Sequence, residues 1–268
     1  MKLTSLSLAL AATVFAIGAQ AADPKLALVF GGGGKFDKSF NQSAFEGAER
    51  FKKDTKIGYL EAQITNDAQS EQVLRNMARK EVDLVVSIGF SMTKAVETVS
   101  KEFPKVKFML IDSVVKADNV DSVVFKEQEG SYLVGLAAGM ATKTQKVGFL
   151  GGMDIPLISK FGCGYVGGFK SVKADGEVFM NMTGDTPAAW NDPVKGGELA
   201  KSQFDRGADV VYAAAGQTGL GVLQAAKDAG KLSIGVDSNQ NGIHPGSVLT
   251  SMLKRVDVAV YNAFADAQ

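Results

Sequence analysis

Short apolar runs alternate along this chain with stretches in which apolar residues return every third or fourth position. Residues 25–30, 57–60, 84–88, 108–111, 120–124, 146–150, 178–182, 210–213 and 232–236 read as strands. Between them, helical spacing is kept by Ala44, Gly47, Ala48 and Phe51, by Met92, Ala95, Val96 and Val99, by Leu133, Leu136, Ala137 and Met140, and by Val222, Ala225, Ala226 and Ala229. Strand, helix, strand in repetition predicts a parallel sheet covered on both faces. The alternation breaks twice. Runs 108–111 and 120–124 follow each other with no helix between them, which marks a crossover from one α/β lobe into another. Run 232–236 is followed by a loop at 239–246, an extended stretch at 247–253, and a helix-like 256–264 whose Val256, Val260, Ala263 and Phe264 are expected to pack on the first lobe. The expected fold class is therefore α/β, with two doubly wound parallel-sheet lobes and a ligand cleft between them. Lobe 1 is expected at 22–124 and lobe 2 at 125–250, with 251–268 forming a crossover and a helix that returns to lobe 1.

The first residues change where such a protein works. Met1 and Lys2 make a short positive start, residues 3–17 are uncharged and largely apolar, and Ala19-Gln20-Ala21 is an A-x-A cleavage site, so residues 1–21 read as a signal peptide. The apolar part is shorter than the ~20 residues a spanning helix needs. No cysteine follows it, so the expected product is periplasmic and free of a lipid anchor. Charge is balanced, with 29 basic and 29 acidic residues, which disfavours a nucleic-acid partner. Cys163 is the single cysteine, so no internal disulfide can form; between Gly162 and Gly164 it is expected to be a small buried apolar residue.

Open parallel sheets hold small ligands beyond the carboxyl ends of their strands. Just past the first strand stand Gly31, Gly32, Gly33 and Gly34, followed by Lys35-Phe36-Asp37-Lys38-Ser39-Phe40-Asn41. Asp37, Phe40 and Asn41, with Gly89, Phe90 and Asp112, are the candidate cleft residues of the first lobe; Trp190, Gly216, Asp237 and, on the crossover, Lys254 are those of the second. Each also has a plainer reading. Phe40 continues the stripe of Ala44, Gly47 and Phe51, Asp37 suits a turn, Asp112 and Asp237 can simply end strands, and Lys254 can be a solvated charge at a helix entry. Ser39 and Gln42 form a capping box that puts Phe40 and Asn41 in an exposed first helical turn. Trp190 lies in a polar, Pro-flanked loop with no obvious core to join.

Catalytic chemistries find little material. The glycine run lacks the G-x-G-x-x-G opening with its later acidic residue and lacks a Walker Lys-Ser/Thr pair. His244 is the sole histidine, in a loop before Pro245, so a zinc site or a Ser-His-Asp triad has few partners. Asp37, Asp112 and Asp237 could converge as hydrolytic carboxylates, yet nothing separates an acid from a base among them. The expectation is a binding protein with no metal and no cofactor.

Four segments carry a family resemblance: Asp37-Lys38-Ser39-Phe40-Asn41; Phe125-Lys126-Glu127-Gln128-Glu129-Gly130-Ser131-Tyr132-Leu133-Val134-Gly135; Val147-Gly148-Phe149-Leu150-Gly151-Gly152; and Gly235-Val236-Asp237 with Thr250-Ser251-Met252-Leu253-Lys254-Arg255. Together, in order and at matching spacing from Lys25 to the last residue, they resemble the basic membrane protein family, substrate-binding proteins of ABC importers typified by purine-nucleoside receptors. The resemblance implies the type I periplasmic-binding-protein fold and a monomeric receptor that delivers a nucleoside to a permease and ATPase at the inner membrane. It also implies that Phe40 and Trp190 stack on the two faces of a purine, that Asn41 and Asp112 bond the base edge, and that Asp237 and Lys254 hold ribose hydroxyls. Two departures are visible. Many relatives are lipoproteins, and the family pattern runs past Gln268, so the chain is expected to be truncated or incomplete there. A sugar or other small-metabolite receptor of the same fold is the alternative, and an exported hydrolase the weaker one.

Overall fold

The computed structural model describes residues 22–268; the signal peptide expected at 1–21 lies outside them. The strand β1 (Leu26–Phe30) is buried at every position because it runs through the middle of a sheet with helices on both faces. Around it lie β2 (Tyr59–Gln63), β3 (Leu84–Ile88), β4 (Lys107–Ile111) and β5 (Val120–Val123), all parallel, in the order β2-β1-β3-β4-β5. Alternate residues of β1 serve opposite faces. Ala27 and Val29 meet Leu74 of α2 (Ser70–Ala78) and Val96 and Val99 of α3 (Thr93–Glu102). Leu26, Leu28 and Phe30 meet Ala44, Ala48 and Phe51 of α1 (Phe40–Thr55) and Val256, Val260 and Phe264 of α8 (Val256–Asp266).

The second sheet repeats the plan. Its strands β6 (Lys146–Met153), β7 (Glu177–Gly184), β8 (Val210–Ala214), β9 (Leu232–Asp237) and β10 (Val248–Leu253) are parallel and run β10-β9-β8-β6-β7. Counted from its own first strand, this is the same 2-1-3-4-5 order as in the first sheet. The helices α4 (Glu127–Ala141) and α5 (Pro156–Val172) cover one face, and α6 (Pro193–Asp205) and α7 (Thr218–Asp228) the other. The chain passes between the sheets after β5 and again after β10, where α8 packs against α1.

Several elements depart from the sequence pattern. The second strand starts at Tyr59, not at residue 57, because Lys56 closes α1 in the left-handed conformation and β2 is a half-exposed edge strand with no continuous apolar run. Helices α2, α5 and α6 had no stripe in the sequence reading. In α5 the buried Ile158, Phe161, Tyr165 and Phe169 do keep helical spacing, and glycines flank them: Gly164 and Gly168 lie against the backbone of α4, and a Cβ on Gly168 would run into the Tyr132 carbonyl oxygen. Gly168→Ala is therefore expected to force the two helices apart and cost about 1–3 kcal/mol, read as a shift in the denaturation midpoint at unchanged slope. Cys163 is a correction. It lies on the solvent side of α5 and is exposed, since the buried residues of that helix are its neighbours Gly162, Gly164 and Tyr165.

Candidate functional site

A cleft of about 360 Å³ opens between the carboxyl ends of the two sheets, where each strand order reverses around β1 and β6. Asp37, Phe40, Asn41, Phe90, Asp112, Trp190, Gly216, Asp237 and Lys254 all line it, together with Gly89. None of the sequence candidates falls elsewhere.

The glycine turn after β1 allows close approach of backbone. A Cβ at Gly31 would stand 2.6 Å from the Ile88 carbonyl oxygen, and Gly33 has a φ of +103°. Asn41 holds this turn from the first turn of α1, its Nδ2 donating to the carbonyls of Gly32 at 3.2 Å and Gly34 at 3.1 Å. Those two bonds commit the amide nitrogen and leave Oδ1 buried without a partner. The capping box of Ser39 and Gln42 does not form. Asp37 caps α1 instead, its carboxylate accepting from the backbone N–H groups of Ser39 at 2.8 Å, Asn41 at 3.0 Å and Gln42 at 3.0 Å. A carboxylate answers three orphan donors and the helix dipole at once, which a hydroxyl cannot. The freed Ser39 hydroxyl donates instead to Asp237 Oδ2.

Asp112 and Asp237 occupy equivalent places in the two lobes. Each stands at the carboxyl end of the fourth strand of its lobe, Asp112 just past β4 and Asp237 as the last residue of β9, and each has a left-handed backbone, with φ of 72° and 65°. That conformation turns the chain sharply out of the strand, and aspartate is among the few side chains that tolerate it. Between them lies Lys254, on the passage from β10 to α8. Its Nζ donates to Asp112 Oδ2 at 2.6 Å and lies 3.2 Å from Glu127 Oε1, with the rings of Phe40, Phe125 and Phe161 within 5.1, 5.1 and 5.4 Å. The other oxygen of Asp112 is buried and unpartnered.

Burial dominates the proton affinities. It pushes the Asp237 carboxyl up from 3.8 to about 7, against the pull of Lys254 and the Ser39 bond, with Asp37 and Asp112 adding repulsion. Burial likewise raises Asp37 to about 6 despite its backbone bonds, and raises Asp112 despite Lys254. Burial opposes the Lys254 ammonium, yet the charges of Asp112, Asp237 and Glu127 outweigh it and hold the pKa above the usual lysine value. In the ligand-free protein Asp37 and Asp237 therefore favour folding below the ordinary carboxylate range, and that contribution is lost as pH rises through about 6 and about 7.

The aromatic lining comes from both lobes. Phe40 rests on Gly89, where an added Cβ would lie 3.6 Å from its ring. Trp190 ends a short 3-10 turn whose Ala189 carbonyl accepts from Thr183 at 2.9 Å and Thr218 at 2.8 Å, so the loop is held firmly. Its indole lies over Gly152, where no side chain would fit, and meets Phe90 edge-on at 6.2 Å. Sequence reasoning missed the apolar wall of Met153, Leu157, Ile158 and Phe161, which runs from the last residue of β6 into α5, and missed Asp67 and Glu127. The wall's signal was its position after the first strand of the second sheet, the counterpart of the glycine turn. Glu127 carried no reading of its own in the sequence, though it stands inside one of the four family segments.

The two sheets and this cleft are the architecture of a solute receptor, and similarity decides which kind. The sequence model of the Bmp family, described as ABC transporter substrate-binding protein PnrA-like, matches residues 13–267. The chain belongs to that family. It is 38% identical over 260 residues to the CD4+ T-cell-stimulating antigen of Listeria monocytogenes, covering 89% of this chain and 72% of the relative. It is also 38% identical over 261 residues to the ABC transporter nucleoside-binding protein BmpA of Lactococcus lactis, covering 89% and 73%. Among solved structures, an ABC transporter solute-binding protein from Aeropyrum pernix K1 superimposes with a TM-score of 0.84 at 34% identity, over 91% of this chain and 70% of that one. This Bmp-family chain is thus an ABC substrate-binding protein with the type I periplasmic-binding-protein fold, working outside the cytoplasm with a permease and its ATPase.

Proposed function

We propose that this protein captures a nucleoside, a purine nucleoside by preference, in the cleft between its lobes and delivers it to the importer. The observation that carries this reading is the balance of donors and acceptors in the cleft. Asn41 Oδ1 and Asp112 Oδ1 are buried acceptors without partners, and the Ser39 hydroxyl bonds to only Oδ2 of Asp237. Of the three N–H groups on Lys254, one is donated to Asp112, while Glu127 Oε1 is an ion partner at 3.2 Å that accepts no hydrogen bond. A buried polar atom left unpaired costs about 1–3 kcal/mol, so the occupant must bring hydrogen-bond donors to these oxygens. A nucleoside brings them at both ends: adjacent ribose hydroxyls suit Asp237, with Lys254 donating to a sugar oxygen, and base-edge N–H groups suit Asn41 and Asp112. The flat base meets Phe40, Phe90 and Trp190, and stacking supplies ~1–3 kcal/mol per base with little regard to base identity. The concentration of carboxylates disfavours anionic ligands such as nucleotides.

Export through the leader at 1–21 and life in the periplasm belong to the same proposal, supported by the A-x-A site and by the family's place outside the cytoplasm. Relatives in Pyrococcus carry the name lipoprotein, so the intact mass of the mature N-terminus is the check: a free Ala22 supports the proposal and a lipid-modified residue contradicts it. The ligand is tested by a thermal-shift panel of nucleosides, bases, pentoses and hexoses. Purine nucleosides at 100 times Kd are expected to add about 2.7 kcal/mol of stability. A shift with pentoses or hexoses and none with nucleosides points to a sugar receptor.

A further inference from the structure

Glu127 opens α4 immediately after the first passage between the lobes, and Lys254 lies on the second. A glutamate in the first turn of a helix ordinarily faces water and favours the helix through its dipole. This one is 0% exposed, with Oε1 3.2 Å from the Lys254 ammonium and Oε2 3.5 Å from the Lys160 ammonium, whose side chain is 45% exposed. Phe125, two residues earlier, contributes its ring to the cage around the same Lys254. The two strands of chain that join the lobes are therefore bonded to each other through one buried ion pair. Asp112, from the first lobe, completes the grip at 2.6 Å.

We infer that Glu127 is a positioning residue of the ligand cleft: by ion pairing at 3.2 Å it holds the Lys254 ammonium so that the N–H groups not given to Asp112 are presented to the ligand, and it locks the two interlobe passages together. Geometry supports both parts. A lysine stem has four rotatable carbons, and the side-chain entropy lost in fixing it must be recovered from contacts; two carboxylates on separate elements confine the ammonium to one place, where a single one leaves it free to swing. A carboxylate at a helix N-terminus, buried, bonded by Lys160 and ion-paired with Lys254, is also fixed in its own turn. Glu127 touches no ligand in this account and acts only through Lys254.

The inference rests on the nucleoside reading and is separable from it. Glu127→Gln keeps the shape and removes the charge. Calorimetric titration with a purine nucleoside is expected to show about a tenfold weaker Kd for Glu127→Gln in the wild-type background and no further weakening when it is added to Lys254→Met, because a residue that acts through Lys254 has nothing to act on once the ammonium is gone. Equal weakening in both backgrounds, or none in either, overturns the inference, since a merely structural glutamate would act independently of Lys254. The same four proteins melted without ligand provide a second cycle. Losses that fail to add support the Glu127–Lys254 coupling, and additive losses overturn it, even if the wild-type protein binds no nucleoside and the reading of the ligand falls by itself.

Discussion

Lys254→Met is expected to destabilise the ligand-free protein by about 3–5 kcal/mol at neutral pH, because it leaves Asp112 a buried carboxylate without its lysine partner and leaves Glu127 only the half-exposed Lys160. The sign of its pH dependence follows from Asp112. Burial already raises that carboxyl and Lys254 opposes the rise, so removing the lysine raises it further. A folded-state pKa above the unfolded value favours the fold at low pH and loses that contribution as pH increases. The penalty of Lys254→Met should therefore shrink on mild acidification, as the orphaned Asp112 carboxyl takes up a proton. Chemical denaturation of wild type and variant at neutral and mildly acidic pH measures it. A loss below about 1 kcal/mol, the size of a solvated surface pair, or a loss indifferent to pH, would contradict the buried charge cluster.

Asp237 is expected to make nucleoside binding proton-linked. In the empty cleft its carboxyl is pushed up to about 7, chiefly by burial. Ribose hydroxyls donate to the ionised form and lower that value, so binding below about 7 expels a proton. Affinity should then rise with pH through the acidic range, by at most about tenfold per pH unit for one proton, and level off above the empty-cleft value. Asp237→Asn should flatten the profile. Asp237→Ala should lose roughly 1.5–3 kcal/mol of nucleoside affinity, the scale of hydrogen bonds to a charged group, while any weak binding of the bare base persists. Titration in two buffers of different ionisation enthalpy reveals the released proton. A flat pH profile in the wild type, or unchanged affinity in Asp237→Ala, removes this carboxylate from the site.

The sequence exposed the fold where burial alone decides structure. The continuous apolar runs at β1, β3 and β8 are strands buried at every position, and their boundaries agree with the pattern to within a residue. The pattern failed where packing overrides composition. The edge strand β2 is exposed or half-exposed throughout, so the apolar run at 57–60 overlaps only its first two residues, and in α5 the buried stripe of Ile158, Phe161, Tyr165 and Phe169 is broken up by the glycines that let α4 approach. The candidate cleft residues were legible because strand ends in a parallel sheet share one side, so polar and aromatic residues just past each apolar run converge. Their partners were not. That Asp37 rather than Ser39 caps α1, that Ser39 turns to Asp237, and that Glu127 points inward are outcomes of contacts between residues 127 and 198 positions apart or of local turn geometry, neither of which spacing along the chain encodes.

The protein contains one tryptophan, and Trp190 lines the cleft beside Phe90 with its loop held by Thr183 and Thr218. Fluorescence titration of the mature protein therefore reports directly on what enters the cleft. Adenosine, guanosine or inosine should change the emission saturably, free ribose should leave it unaltered, and Trp190→Ala should weaken nucleoside binding by the ~1–3 kcal/mol of one stacked base when followed by calorimetry. A saturable response to ribose or glucose with none to any purine nucleoside would contradict the nucleoside receptor and assign the cleft to sugars.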